Sequence, residues 1–170
     1  MNKGDVKHII IAVILLLGQG LIDSFIHASL YLHLSVLPYI IILLPYRNAT
    51  LANTSIGFIV GLIADVLGGR IIGFNTAALT AVGFAKKWFV QATINKDILE
   101  KEHRPTPWVT GLGRFSVLAS FAVALYLLFF ISLESIGSWS TLFVLLRFLL
   151  SFAVNLLIAV GLFVICNPKR

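Results

Sequence analysis

Charge, cysteine and catalytic patterning are what this sequence has least of. Only 12% of its 170 residues are charged, about half the share found in a soluble domain, so an ordinary water-facing surface is excluded. A single cysteine, Cys166, rules out an internal disulfide and leaves no cysteine cluster for a metal. Acidic residues are scarcer than basic ones, 7 against 13, and Asp65 has no second carboxylate at a spacing that would make a paired acid and base. His8, His27, His33 and His103 are scattered; His27 and His33 fall on different helical faces and do not suit a metal. No serine or cysteine sits in a nucleophile motif, and no glycine-rich loop carries the lysine of a phosphate cradle. These gaps point to a protein that is not an enzyme and holds no metal or cofactor.

What is abundant is apolar: 59% of the chain is hydrophobic, with a mean hydropathy of +0.99. The apolar runs are continuous and not alternating, which favours membrane helices over a barrel. They predict an all-α, polytopic membrane protein in one domain, with six transmembrane helices at approximately 9–26, 29–45, 51–68, 71–87, 115–133 and 141–166. The first run follows Lys3 and Lys7 in the manner of a secretory signal, but further spans follow at once, and it reads as an uncleaved helix. Pro38 predicts a kink in the second. The third and fourth are shorter than the ~20 residues of an ordinary crossing. A basic loop, 88–114, follows the Lys86-Lys87-Trp88 boundary. Within it, Lys96 with Glu100 and Asp97 with Lys101 are helical i,i+4 pairs, predicting a short surface helix ended by Pro105 and Pro107.

With the N-terminus inside, every Lys and Arg except Arg70 and Arg147 lies on the cytoplasmic side, eleven of thirteen. This asymmetry supports an even number of crossings with both termini cytoplasmic, and it argues against a re-entrant third and fourth pair, whose removal would nonetheless preserve the parity. It also explains the net charge of +6 without nucleic acid: the basic residues sit between spans, where their partners are anionic headgroups of the bilayer and cytoplasmic parts of other proteins.

The most structured stretch is Leu51 to Ala85. Gly57, Gly61 and Asp65 recur at four-residue spacing, so a smooth glycine strip leads to a carboxylate on one helical face. Gly73, Ala77 and Ala81 form a similar strip on the next helix, and the two strips are expected to pack together. In the six-span topology Asp65 lies near the outer end of its helix. Arg147 lies about 10 Å into the sixth at 1.5 Å per residue, in the same outer half. A charge inside an apolar span usually has a partner. Asp65 is therefore expected to pair with Arg147 or with Arg70, or to reach outer water. Gln19, Asp23 and Asn75 are placed either to line an outer cavity with Asp65 or to make interhelical hydrogen bonds.

The segment GFIVGLIADVLGG, followed closely by IIGFNTAALTAV, resembles the rod-shape-determining MreD family of the bacterial cell-elongation machinery. The likeness at residue level covers Gly57 to Ala78; upstream LPYIIILLPY, the chain length and the basic loop are similar at the level of organisation. The resemblance implies a fold similar to the six-helix substrate-binding subunits of energy-coupling-factor transporters. It further implies a non-enzymatic scaffold in the bacterial inner membrane. Such a scaffold binds MreC, a partner with one transmembrane helix, and works with the MreB filament, a RodA-type glycosyltransferase and a class B penicillin-binding transpeptidase in side-wall peptidoglycan synthesis. The alternative that follows from the shared fold is a vitamin-binding transporter subunit, with Asp65, Asn75, Trp139 and Arg147 around a cavity open to the outside.

Overall fold

The computed structural model describes residues 3–25, 32–45, 49–69, 71–94, 111–136 and 140–166. These form helices α1 (Lys3–Phe25), α2 (Leu37–Ile42), α3 (Thr50–Leu67), α4 (Phe74–Thr93), α5 (Leu112–Glu134) and α6 (Thr141–Cys166), and no strand occurs among the described residues. Among the described residues, three helices, α3, α5 and α6, are long and apolar enough to cross a bilayer. The predicted surface helix of the basic loop, together with Arg70 and Trp139, lies outside the described residues.

The expected second crossing is not one helix. Residues 32–36 have no regular secondary structure, and within residues 32–45 the helix is confined to Leu37–Ile42. Pro38 consequently does not kink a helix; it sits in the first turn of α2, where its missing N–H has no helical partner to lose. All six residues of α2 are buried. α4 continues to Thr93 and α5 begins at Leu112, past the expected limits of 87 and 115. At that end Val90 and Ile94 bury into the core while Lys87, Trp88 and Gln91 stay exposed, so an amphipathic turn extends α4 beyond its purely apolar run, whereas the added residues 112–114 of α5 are all exposed.

The turn between α3 and α4 needs glycine. Gly69 and Gly73 have φ of +59° and +119°, conformations that L side chains adopt only with strain. The reversal sets α3 and α4 against each other, and α5 packs on α4. The core is one cluster that runs along α5 from Phe115 to Ile131 and takes in α2; its α2 end is built around aromatic rings. Tyr39 packs edge-on against Phe115 and Phe163, and those two rings stack. Lys86 closes this end from inside: its ammonium donates to Leu44 O at 2.6 Å, just past the C-terminus of α2, where the helix dipole favours a cation. The opposite half gathers the C-terminal ends of α1, α3 and α5 with the N-terminal ends of α4 and α6. The charged and amide side chains Gln19, Asp23, Asp65, Asn75 and Arg147 are buried there.

Candidate functional site

The seam between α3 and α4 is closer than any side chain permits. A Cβ on Gly57 would lie 2.4 Å from Leu79 O, one on Gly61 2.5 Å from Thr76 Cα, and one on Gly83 2.4 Å from Asn53 O. Backbone therefore packs on backbone at three successive levels. On α3 the contact face is Asn53, Gly57 and Gly61; on α4 it is Thr76, Leu79, Thr80 and Gly83. This corrects the expected α4 strip. Ala77 and Ala81 are rotated off the seam because Gly83, and not an alanine, admits the α3 backbone. With Gly73 they line an open apolar groove of about 560 Å³, walled by Phe58, Phe84 and Phe129.

The seam carries Asp65 to the start of α4. Its carboxylate accepts the backbone N–H groups of Gly73 (2.9 Å), Asn75 (3.0 Å) and Thr76 (3.1 Å), and the Thr76 hydroxyl at 2.7 Å. Asp65 is fully buried, and it is a helix cap supplied from the neighbouring helix, at the end where unpaired amides and the dipole favour an anion. The expected ion pair with Arg147 does not form. Four donors already saturate the carboxylate, and Arg147 turns to Glu134, with Nη2 2.8 Å from Oε2.

From α4 a polar chain runs inward. The Tyr126 hydroxyl donates to Asn75 Oδ1 at 2.5 Å, and His33 Nε2 lies 3.2 Å from the same hydroxyl. Because that hydroxyl proton goes to Asn75, His33 Nε2 is the donor to Tyr126. The His33 ring stacks on Phe130 with centroids 3.9 Å apart. Asn75 thus makes interhelical hydrogen bonds, one of the two roles open to it from sequence.

The non-helical residues 33–36 are held on two sides by side chains. On one side, Val36 N–H donates to Gln19 Oε1 (2.9 Å) and Gln19 Nε2 donates to Leu34 O (3.1 Å). On the other, His33 N–H donates to Ser151 Oγ (2.9 Å), Ser35 N–H to Asn155 Oδ1 (2.6 Å), and Asn155 Nδ2 to His33 O (2.6 Å). Each amide serves a backbone N–H and a carbonyl, satisfying backbone that has no helical partner in a water-poor core. Sequence reasoning passed over Ser151 and Asn155. Their signal is the spacing Arg147, Ser151, Asn155, Ala159, Phe163, which is the entire buried face of α6. Two buried donors in this half, Asn75 Nδ2 and Arg147 Nε, have no acceptor among the described residues.

Chemically, then, the site is a brace: a carboxylate, three amides, a phenol and an imidazole join helices to one another and to a non-helical segment. The fold and this arrangement define an all-helical membrane protein whose apolar core is crossed by a buried polar network. No protein-family model fits the chain, and no curated protein or solved structure matches it.

Proposed function

We propose that the chain is a non-enzymatic scaffold of the MreD type in the bacterial inner membrane. In this reading it crosses the bilayer six times with both ends inside, and it binds an MreC-like partner that has one transmembrane helix. Through that partner it works with the MreB filament, a RodA-type glycosyltransferase and a class B transpeptidase in wall elongation. The observation that carries the reading is the α3–α4 hairpin. The residues that resemble the family, Gly57 to Ala78, include two of the three close-approach glycines of the seam, Gly57 and Gly61, and the Asp65 cap. A rigid hairpin of this kind suits a protein whose work is to present a fixed surface.

The test is co-purification in mild detergent with a bitopic coiled-coil partner of the MreC type, beside rescue of rod shape in cells depleted of their own scaffold. Retention of the partner and its loss in Gly61→Leu support the reading; failure of both capture and rescue removes it. The second reading, a vitamin-binding transporter subunit, is favoured by the unpaired donors Asn75 Nδ2 and Arg147 Nε. A rise in melting temperature with a vitamin, or a small molecule carried at one per chain through purification, would establish it over the scaffold.

A further inference from the structure

Gly73, Ala77 and Ala81, rotated off the α3–α4 seam, floor an open groove walled by Phe58 of α3, Phe84 of α4 and Phe129 of α5. Phe58 and Phe84 stay half exposed. Every hydroxyl that lines the groove is already engaged: Thr54 donates to Thr50 O at 2.8 Å, Thr80 to Thr76 O at 2.6 Å, and Thr76 to Asp65 at 2.7 Å. The groove therefore offers no free donor, and an apolar chain fits it better than a polar small molecule. From Gly73 to Phe84 the floor rises about 16 Å at 1.5 Å per residue, close to the depth of one leaflet in a ~30 Å hydrocarbon core.

Beyond Phe84 the character of the same face changes. At 3.6 residues per turn it runs on through Lys87, Trp88 and Gln91, and all three are exposed. Trp88 packs edge-on against the groove wall at Phe84, with centroids 5.1 Å apart. Lys87 makes no ion pair among the described residues. One surface is thus apolar over the length of a leaflet and then presents a cation, an indole N–H and an amide, which is the complement of an amphiphile with an anionic head.

We propose that the groove binds one acyl chain of an anionic phospholipid, with the headgroup phosphate on Lys87 and Trp88. The chain lies along Gly73, Ala77 and Ala81 between the three phenylalanines, and the ammonium and the indole N–H meet the phosphate where aromatic and basic residues mark the membrane boundary. Charge selects the lipid: a zwitterionic head brings a cation of its own to Lys87, and an anionic head does not. Charge also disfavours a crossing partner helix as the occupant, because its apolar span would run on past Phe84 over an exposed lysine and amide. The site does not rest on the scaffold reading and is compatible with either functional class.

Quenching of tryptophan fluorescence by brominated lipid tests the site in proteoliposomes, with Trp108→Phe and Trp139→Phe leaving Trp88 as the reporter. Phosphatidylglycerol brominated on its acyl chains, diluted into unlabelled phosphatidylcholine, should quench Trp88 at about one-fifth of the mole fraction that brominated phosphatidylcholine needs, the selectivity of one lysine near a membrane surface. Lys87→Gln should remove that preference, and Lys87→Arg should keep it. Ala77→Leu with Ala81→Leu fills the groove without entering the seam, and it should weaken quenching by both lipids. Equal quenching by the two lipids overturns the site, as does a preference that survives Lys87→Gln or quenching that ignores the filled groove. Weak quenching by both lipids that strengthens as the protein is diluted in the bilayer also overturns it, since a second protein helix then occupies the groove.

Discussion

Asp65 and Thr76 are joined twice: one carboxylate oxygen accepts both the backbone N–H and the side-chain hydroxyl of Thr76, at 3.1 and 2.7 Å. A carboxylate from α3 thus does for α4 what an N-cap side chain ordinarily does within its own helix. It acts on a helix whose own N-cap, Gly73, has no side chain to offer. Removing it leaves buried amides of Gly73, Asn75 and Thr76 without an acceptor. Asp65→Ala should lower stability by about 2–4 kcal/mol, the loss of a cap plus unsatisfied donors. Asp65→Asn should lie between the two, since its oxygen still accepts while its NH2 faces donors. Unfolding in detergent micelles reads the order; an unchanged midpoint in the alanine variant would show that the cap carries no stability.

The glycine seam makes a sharper comparison because its glycines are not equivalent. Gly61→Ala places a methyl 2.5 Å from Thr76 Cα, where backbone must move, whereas Gly18 has nothing within 4 Å of its Cβ position. Gly61→Ala should cost about 1–3 kcal/mol as overpacking. Gly18→Ala should be neutral or gain up to about 1 kcal/mol from helix propensity. Thermal melts of the two variants side by side decide this, and equal shifts would mean the seam is looser than its geometry.

The hairpin was legible in the sequence and the non-helical segment before α2 was not, and the difference is physical. Glycines at four-residue spacing have one helical meaning, close approach, and Gly57 and Gly61 lie in a seam of that kind. Which residues they meet on α4 depends on rotation about that helix. A shift of one position moves the contact from Ala77 and Ala81 to Thr76, Thr80 and Gly83. Asp65 was conspicuous as a charge in an apolar run, but its partners are backbone amides 8 to 11 residues on, which no side-chain inventory displays. Residues 29–45 read as a continuous apolar span, and periodicity does not separate a buried helix from buried non-helical chain. The signal for the latter lay elsewhere, in the amides of Gln19 and Asn155, which an all-helical bundle does not need.

Asn155 should accordingly matter through the backbone of another segment. Its amide supplies both Ser35 N–H and His33 O, so Asn155→Leu leaves a buried donor and acceptor unpaired. Interhelical hydrogen bonds in membranes average well under the aqueous figure, so the expected loss is about 1–2 kcal/mol. Combining it with Gln19→Leu strips both sides, and the double variant should lose more than the sum of the singles. A double-mutant cycle on unfolding midpoints measures the coupling; strict additivity would show that the two clamps act separately.

The charges near the N-terminus of α6 separate two pairings. Sequence depth alone allows Asp65 with Arg147, but the guanidinium lies 2.8 Å from Glu134, and Asp65 is spent on α4. Arg147 is almost wholly buried while Glu134 keeps about a quarter of its side-chain surface, 27%. Removing only the arginine leaves a carboxylate that can still hydrate; removing only the glutamate strands a buried cation. Glu134→Leu should therefore be the more damaging single change, by about 2 kcal/mol or more. Arg147→Met with Glu134→Leu should recover most of that loss, because replacing both partners removes the stranded charge. Exchanging Asp65 and Arg147 should rescue nothing, since an arginine at 65 meets the amides of α4 with donors of its own. The yield of folded protein in membranes and its melting temperature report all four variants. Rescue by the Asp65–Arg147 exchange, without rescue by the apolar pair, would return the ion pair to Asp65.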